Sequence, residues 1–504
     1  MWVELLLLVV VFVVFAIVHL RKQKYTKEGI PIVGNIPWLG CGIPFGKDGP
    51  YFIQKMYKKH GDLFQIRAGG KQLTFFMNEA FLKTFYKSPE SEMSFFEGIN
   101  DKNSSFSLEL ILGKTRRDDY TPEESEENSF LAIKILKNFL STTAPNFVDQ
   151  LYPELDFVLD TTFGKQKALL NQGKFIEVDA FTLFTNMVVI ASAKLLIGQN
   201  VARDEEFIRL IRIYQENALD VIVNPLFLVK KQAQIAAEAR IQATKIIKKS
   251  TDQGGYNSFA SLLSTASYST GRSFYDEAPL STFAFIFATF ANTNAAATNC
   301  FVEILTNERV KQKVLEEIKT VIPAGTEITN ESVSKLEYLG ACLTEALRLY
   351  APPIHIRKCQ IDVKDQNDKV VFPKGGFVCI SPFLRSVLFF LHLFVLFFCL
   401  PLFSSHRDPA IYSEPEKFIP ERHLDKNSRS KFSFLTFGQG MHYCVGKAIA
   451  DCVIKLSIVK LLTEYEVSVV KDHSSTNLKN PKLKWFTFGV ILPANPVTLK
   501  LRKL

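Results

Sequence analysis

The sequence predicts a mainly helical protein with a minor β region. A hairpin is indicated where two apolar stretches, 63–67 and 73–76, flank the pair Gly69-Gly70. Helical patterns dominate elsewhere, because apolar residues recur at helical spacing in several long segments. These segments are residues 205–250, 281–320 and 335–350. The chain has no internal repeat.

Composition excludes several classes of protein. The formal charge of +9 arises from 60 Lys and Arg residues against 51 Asp and Glu residues, and no long basic tract with interleaved aromatics concentrates it. We therefore expect no nucleic-acid partner. The eight cysteines form no Cys-x-x-Cys pair, which argues against disulfide stapling, a zinc site and an iron–sulfur cluster. We expect most of them to be reduced and buried.

An almost unbroken apolar run occupies residues 2–20 and contains only two polar side chains, Glu4 and His19. A run of this length can cross a bilayer as a helix. The basic stretch 21–24 follows it, whereas a cleavable signal peptide has its positive charge before the apolar run. We therefore expect residues 1–20 to be an uncleaved transmembrane anchor, with the remaining chain on the cytosolic side.

The rest of the chain is long enough for one large domain. Prolines and glycines in residues 21–40 disfavour a helix and a central strand, so this segment is interpreted as a stiff linker. Residues 41–504 would then form a single large domain. Within it, the mixed-charge run 116–128 is interpreted as a solvated loop.

One cysteine, Cys444, lies among three glycines in the stretch 437–446. Glycines let a backbone turn tightly and approach a flat ligand, and backbone amides in such a turn can point at the sulfur. Taken alone, the stretch also fits a glycine loop around an ordinary buried cysteine.

A second motif places Glu345 and Arg348 three residues apart in an apolar helix that must stop near Pro352-Pro353. This spacing puts both charges on one face, where they can pair. Taken alone, such a pair is more often exposed on a surface.

The order of three motifs resembles the cytochrome P450 superfamily, and the resemblance covers most of the chain. The motifs are Glu345-x-x-Arg348, then Phe418-Ile-Pro-Glu-Arg422, then Phe437-Gly-x-Gly-x-His-x-Cys444-x-Gly446. The resemblance implies the cytochrome P450 fold, a helical bundle around a buried haem b. It makes Cys444 the axial thiolate ligand of the iron. The same loop would contact the cofactor through Phe437, Gly438, Gly440 and Gly446.

Charged residues acquire roles from the same resemblance. Glu345, Arg348 and Arg422 would form a buried ion network that fixes the geometry of the cysteine loop. His442 stands where the family often has an arginine beside a haem propionate, and Arg357 fits the second propionate position. The alternative for each of these two is an exposed basic residue.

The helix expected to cross the distal face contains residues 290–298. Most oxygen-activating members have an acid followed by threonine here, and the matching positions are Asn294 and Ala295. Proton delivery would then use water, Asn292 or Thr293, so the latter two are the candidate catalytic residues. The form Ala291-Asn-Thr293 resembles the branch with bile-acid-pathway sterol hydroxylases and prostacyclin synthase. The alternative is a polar stripe in an ordinary helix.

Residues 387–405 are strongly apolar and interrupt a stretch that, in the resembling branch, runs from 381–386 straight into His406-Arg-Asp-Pro409. We interpret them as an insertion, from translated non-coding sequence or an erroneous gene model. The alternative is a second contact with the membrane.

The leading hypothesis is a monooxygenase that inserts one oxygen atom into an apolar lipid, with a sterol as the preferred substrate class. It would use dioxygen and electrons from an NADPH-cytochrome reductase. Cationic surface residues of this chain would bind the acidic reductase. Both proteins would lie at the endoplasmic reticulum membrane. One alternative is a lipid-peroxide isomerase of the prostacyclin-synthase type, which needs neither reductase nor dioxygen. Another is a non-catalytic haem- or lipid-binding membrane protein, favoured if residues 387–405 distort the core.

Overall fold

The computed structural model describes most of the chain after Met1–Lys24. The described residues are 25–27, 29–34, 40–47, 49–68, 71–76, 79–99, 120–223, 230–253, 258–352, 354–364, 370–382, 406–407, 411–425, 434–470 and 496–504. The predicted anchor (1–20) and the predicted insertion (387–405) lie outside them. Among the helices described, none is both long enough and apolar enough to cross a membrane.

Helices make up most of the described structure, so the mainly helical prediction is confirmed. In chain order the α-helices are α1 Gly42–Lys47, α2 Gly49–His60, α3 Glu79–Lys87, α4 Phe95–Ile99, α5 Pro122–Thr143, α6 Phe147–Phe163, α7 Lys167–Asn171, α8 Ala180–Leu196, α9 Gln199–Ala202, α10 Glu205–Val223, α11 Lys230–Asp252, α12 Phe259–Ser264, α13 Ala278–Thr306, α14 Glu308–Val321, α15 Asn330–Ser334, α16 Glu337–Leu349 and α17 Lys447–Glu464. The three segments with helical periodicity correspond to α10 with α11, α13 with α14, and α16.

The strands are short. They are β1 Ile32–Val33, β2 Leu63–Ala68, β3 Lys71–Phe76, β4 Met93–Ser94, β5 Ile176–Asp179, β6 His355–Cys359, β7 Val363–Lys364, β8 Val370–Phe372, β9 Phe377–Ile380, β10 Tyr465–Val469 and β11 Thr498–Lys503. One sheet has the order β1-β2-β3-β9-β6-β4, a second β10-β11-β5 and a third β7-β8. The predicted hairpin is confirmed, since β2 and β3 pair antiparallel with Leu63 opposite Phe76. Within the predicted linker 21–40, β1 forms an edge strand, parallel to β2.

Two long helices, α8 and α13, pack against each other in the main hydrophobic core. Nearly every side chain of α8 is buried. Phe184 of α8 meets Phe301 of α13 edge-to-face, with ring centroids 5.5 Å apart. The middle of α13 is lined by small buried side chains, including Ala295 and Ala297, which leave room for close helix packing.

The segment that contains Cys444 lies between two hydrophobic cores. Leu435 is buried in the core of the six-stranded sheet, where Phe64 stacks on Phe75 at 5.5 Å. Phe437 and Val445 pack instead against the main helical core. Apolar contacts on both sides therefore hold the two ends of this segment.

The interpretation of residues 116–128 as a solvated loop is wrong from Thr121 onward, and residues 116–119 lie outside the described part. α5 begins at Pro122, and Thr121 caps it by accepting a hydrogen bond from the backbone N–H of Glu124 while the Glu124 carboxylate accepts one from Thr121. This capping box, with proline in the first turn, is a helix-start signal. The charge pattern misled because acidic residues also favour the N-terminal turn of a helix.

Candidate functional site

The Cys444 loop is a tight turn that leads into α17. The backbone N–H of Cys444 donates to the carbonyl of Phe437 over 2.9 Å. Gly438 and Gly440 each have a φ of +68°, which favours glycine. At Gly440, a Cβ atom would lie 2.2 Å from the carbonyl oxygen of Tyr86. Only glycine therefore allows the loop to approach the end of α3 so closely.

The thiol of Cys444 differs from every other described cysteine. Six of the seven are buried, and Cys444 alone is exposed. Enough protein surrounds Cys444 that burial raises the pKa of its thiol above the ordinary value. The backbone N–H groups of Gly446 and Lys447 and the charge of Lys447 act in the opposite direction and offset part of this rise. Burial raises the pKa of Cys452 to about 12 and that of Cys41 to about 11. The expectation of bland, buried cysteines thus holds for these six.

A buried carboxylate gathers the charged residues of the first two motifs. Arg348 donates two hydrogen bonds to Glu345, from Nε to Oε2 and from Nη2 to Oε1, each 2.8 Å long. Arg422 Nε donates to Glu345 Oε1 over 3.0 Å. The side chains of Glu345 and Arg348 have no solvent exposure, whereas 12% of the Arg422 side chain is exposed. The structure thus brings these three residues together.

Sequence reasoning missed two further partners of this carboxylate. His423 Nε2 lies 2.6 Å from Glu345 Oε2, and Ile419 N donates to Oε1 over 3.0 Å. A 3-10 turn, Pro420–His423, presents Arg422 and His423 side by side. The sequence shows that Arg422 and His423 are adjacent, but it does not show that both contact Glu345, which lies more than 70 residues earlier.

The protonation state of Glu345 follows from these contacts. Burial alone would raise its pKa, because it disfavours the charged form. Hydrogen bonds from Arg348 and His423 outweigh burial and lower the pKa of Glu345 from its ordinary value of 4.5 to about 2. The carboxylate is therefore ionised at neutral pH. A buried pair of this kind fixes geometry more than it adds net stability.

The other side of the Arg348 guanidinium holds backbone that precedes the Cys444 loop. Its Nη1 donates to the carbonyls of His406 and Pro415 over 2.6 and 2.8 Å. Its Nη2 donates to the carbonyl of Lys417 over 3.3 Å. The guanidinium also lies 4.8 Å from the ring centroid of Tyr412. Arg348 thereby joins α16 to several turns of the following chain.

Arg357 lies on β6 and is buried, with 2% exposure. Its Nη1 donates to the carbonyl of Ser88 over 3.0 Å, and its guanidinium lies 4.9 Å from the ring centroid of Phe85. Burial lowers the pKa of Arg357 to about 10, while the charge of Glu90 raises it. The side chain is a cation held inside the protein, so it is not an exposed basic residue.

His442 also meets Glu90. Its Nε2 lies 2.7 Å from Glu90 Oε1, without the alignment of a regular hydrogen bond. The ring packs against Phe95 and Phe96, with centroids 5.5 and 6.1 Å away. Burial alone would raise the pKa of Glu90, but contacts with His442 and Ser94 lower it overall. The two bases predicted to contact propionates thus share one carboxylate neighbour.

The candidate catalytic residues lie on another element, α13. Thr293 is buried and Asn292 is half-buried, with its Nδ2 donating to the carbonyl of Ala288 over 3.2 Å. Asn294, which the sequence analysis matched to the usual acid, is fully buried and donates from Nδ2 to Thr185 Oγ1 over 2.8 Å. Its side chain therefore takes part in the packing of α8 against α13.

The residues present fit a haem. A haem-thiolate site needs a cysteine sulfur that a ligand can reach and N–H groups that stabilise its negative charge. Cys444 meets both requirements, because it is exposed and the backbone N–H groups of Gly446 and Lys447 act to lower the pKa of its thiol. Arg357 and His442 supply cationic or donor groups suited to carboxylates.

Comparisons with known proteins agree with this geometry. A model of the cytochrome P450 family matches residues 26–384 and 398–501. Cytochrome P450 3A27 of Oncorhynchus mykiss is 24% identical, covering 99% of this chain and 94% of that one. The human 24-hydroxycholesterol 7-alpha-hydroxylase is also 24% identical, covering 90% and 91%. A solved structure of retinoic acid-bound cyanobacterial CYP120A1 has a TM-score of 0.71 at 21% identity, covering 94% and 99%, so the predicted fold is confirmed.

We expect Glu345→Gln to lower the free energy of unfolding by roughly 3–5 kcal/mol at neutral pH, because it strands the buried Arg348 charge. Since folding depresses the pKa of Glu345, its contribution is complete above pH 4.5 and is lost as the pH falls towards 2. Urea unfolding across this range measures both effects. The control Glu331→Gln removes an exposed pair with Lys335 and should cost under about 0.5 kcal/mol. Equal losses in both variants would contradict the prediction.

Proposed function

The chain belongs to the cytochrome P450 family, and we propose that Cys444 is the axial ligand of its haem and that the protein hydroxylates an apolar lipid. One observation carries the assignment of the ligand: Cys444 is the one exposed cysteine among the described residues, so a ligand can reach its sulfur. Membership in this family and the names of the relatives indicate a monooxygenase, which inserts one oxygen atom and uses a redox partner.

The protein residues around the haem have distinct tasks in this proposal. When bound, the haem supplies the oxidative chemistry, and a thiolate ligand donates electron density to its iron. The N–H groups of Gly446 and Lys447 stabilise negative charge on the Cys444 sulfur. Phe437, Gly438 and Gly440 keep the turn in place, and Arg357 and His442 neutralise the cofactor's carboxylates.

The ion network supports this site from a distance. Glu345 forms ion pairs with Arg348 and Arg422, and Arg348 spans from α16 to the backbone of Pro415 and Lys417. None of these three side chains needs to touch the reacting atoms. Their task is to hold the backbone on which the Cys444 loop rests.

Proton delivery during oxygen activation is proposed to use water together with groups on α13. We assign it to Thr293, whose Oγ1 can accept and pass on a proton, and to Asn292, whose amide can orient water. Asn294 cannot serve as an acid, because a carboxamide does not titrate and its Nδ2 is bonded to Thr185. This arrangement differs from the acid–threonine pair that is usual in the family.

A sterol is the substrate class we favour. The relative named 24-hydroxycholesterol 7-alpha-hydroxylase matches 90% of this chain, and its name states a reaction on an oxysterol. The pattern at Asn292 and Thr293 resembles the same branch. We further propose that residues 1–20 anchor the protein in the endoplasmic reticulum membrane, that 21–40 link the anchor to the catalytic domain, and that an NADPH-cytochrome reductase supplies electrons.

Lipid-peroxide isomerisation is the second candidate. Asn294 and Ala295 favour it, because they replace the pair that most oxygen-activating members use. An isomerase needs no proton delivery to dioxygen and no reductase.

The apolar stretch 387–405 is proposed to be an insertion. The family match is interrupted between residues 384 and 398, within or beside this stretch. Pro382 and His406 flank it, and the N–H of His406 donates to the carbonyl of Pro382 over 3.0 Å. The fold therefore keeps Pro382 and His406, the described residues on either side, next to each other.

We expect the reduced, carbon monoxide-bound protein to show the Soret band of a thiolate-ligated haem. Cys444→Ser should abolish that band, because serine supplies no thiolate. Cys452→Ser, which alters a buried cysteine of α17, is the matched control and should retain it. Circular dichroism verifies that both variants are folded. Persistence of the band in Cys444→Ser would show that another residue holds the iron.

We expect conversion of an oxysterol or sterol to a product with one added oxygen only when NADPH, a cytochrome reductase and dioxygen are all present. Mass spectrometry of products formed in ¹⁸O₂ measures the source of the added atom. Rapid rearrangement of a lipid hydroperoxide without NADPH, in the absence of sterol turnover, would favour the isomerase instead.

We expect the thiolate-type band both in the full chain and in a chain lacking residues 387–405, because the hydrogen bond between His406 N and the carbonyl of Pro382 keeps these two residues adjacent. Absorption spectra of the two proteins at equal haem content test this. A band only in the shortened chain would identify the stretch as damage to the site. A band in neither would sink the assignment of Cys444.

A further inference from the structure

We propose that His406 is a positioning residue that connects the Glu345 ion network to the Cys444 loop. The inference rests on the proposed role of Cys444 as the iron ligand. It assigns His406 no contact with substrate or cofactor. Its effect would pass through the backbone that precedes Cys444.

The backbone of His406 is held on both sides. Its carbonyl accepts a hydrogen bond of 2.6 Å from Arg348 Nη1, and Arg348 is itself fixed by Glu345. Its N–H donates to the carbonyl of Pro382, just beyond β9. His406 is fully buried. The ion network on one side and the segment that follows β9 on the other therefore fix the position of His406.

The side chain of His406 reaches the segment of the cysteine. Its Nε2 accepts a hydrogen bond of 2.7 Å from the backbone N–H of Leu435. Its ring stacks on Phe434, with centroids 5.3 Å apart and planes 12° apart. One side chain thus contacts two successive residues at the start of the loop, through a directional bond and a flat contact.

From Leu435 the hydrogen bonds continue to the cysteine. The carbonyl of Leu435 accepts from Gly438 N over 2.9 Å, and the carbonyl of Phe437 accepts from Cys444 N over 2.9 Å. A continuous path therefore runs from Arg348 through His406 and Leu435 into the turn. Displacement of Leu435 would shift the turn that orients the sulfur.

The hydrogen-bonding role requires a neutral imidazole, because Nε2 must accept while Nδ1 carries the proton. Burial lowers the pKa of His406 to about 3, and the charge of Arg348 lowers it further. The ring is therefore neutral, and Nε2 remains an acceptor, at neutral pH.

A second contact joins the same loop to α16 without His406. Thr436 Oγ1 donates to the carbonyl of Leu347 over 3.0 Å. Loss of the His406 contact should consequently loosen the loop rather than unfold it. The expected defect is in the orientation of the cysteine, which can be separated from loss of folding.

Two substitutions separate the functions of the ring. His406→Phe keeps a flat ring beside Phe434 and removes the acceptor, which leaves the buried N–H of Leu435 without its partner. His406→Gln can place an amide oxygen where Nε2 lies. The control His60→Phe alters a half-buried histidine at the end of α2, near Phe64, away from the path.

The measurement is the ratio of thiolate-ligated to other haem in the reduced, carbon monoxide-bound protein, at equal folded and haem-loaded concentration. We expect His406→Phe to lower this ratio roughly tenfold, which corresponds to about 1.4 kcal/mol, and His406→Gln to restore most of it. His60→Phe should match the wild type. Thermal unfolding of each variant provides the stability for comparison.

The outcomes are distinguishable. A wild-type ratio in His406→Phe would overturn the positioning role while the assignment of Cys444 stands. So would a variant that loses stability and bound haem yet keeps the ratio, since His406 would then be only structural. Absence of the thiolate band in the wild-type protein would instead overturn the proposed function, and this inference with it.

Discussion

The site depends on one buried carboxylate. Glu345 accepts hydrogen bonds from Arg348, Arg422 and Ile419 and contacts His423, although these partners come from two distant parts of the chain. Removing charges from water is costly, so such a cluster persists only where nearly every lone pair and donor is satisfied. The cluster therefore tolerates very few arrangements of the surrounding backbone. Because the backbone arrangement is so restricted, the cluster can help to hold the Cys444 loop in one orientation.

The Cys444 loop is restricted by sterics as well as by charge. Gly440 approaches the backbone of Tyr86 so closely that any side chain would clash, while Leu435 and Phe437 are packed into different cores. Hydrogen bonds, close packing and hydrophobic burial thus act on the same dozen residues. Gly440 allows the loop to lie against the backbone of Tyr86. Leu435 and Phe437 fix how deeply the loop is buried in the two cores. His406 holds the start of the turn through Leu435.

The sequence predicted those features that depend on local spacing or motif order. Glu345 and Arg348 lie one helical turn apart, and the order of the motifs related them to Arg422 and Cys444. His406 and His423 escaped prediction because their contacts join residues about 30 to 80 positions apart, which no local pattern encodes. Asn294 lies on a predicted helix, but its bond to Thr185 of α8 depends on tertiary packing that no local pattern encodes. At Thr121 the sequence contains a local helix-start signal, the capping box with Glu124, but the mixed charge of residues 116–128 is equally typical of a solvated loop.

Glu345 and Arg348 are completely buried, so their ion pair should respond to salt differently from ion pairs on the protein surface. Mobile ions screen exposed charges over about 8 Å at physiological ionic strength, so they weaken surface pairs such as Glu206 with Arg209 and any encounter guided by the excess of basic residues. They cannot enter the space between Glu345 and Arg348. Raising the ionic strength should therefore slow the arrival of an acidic electron donor and leave the architecture around Cys444 intact.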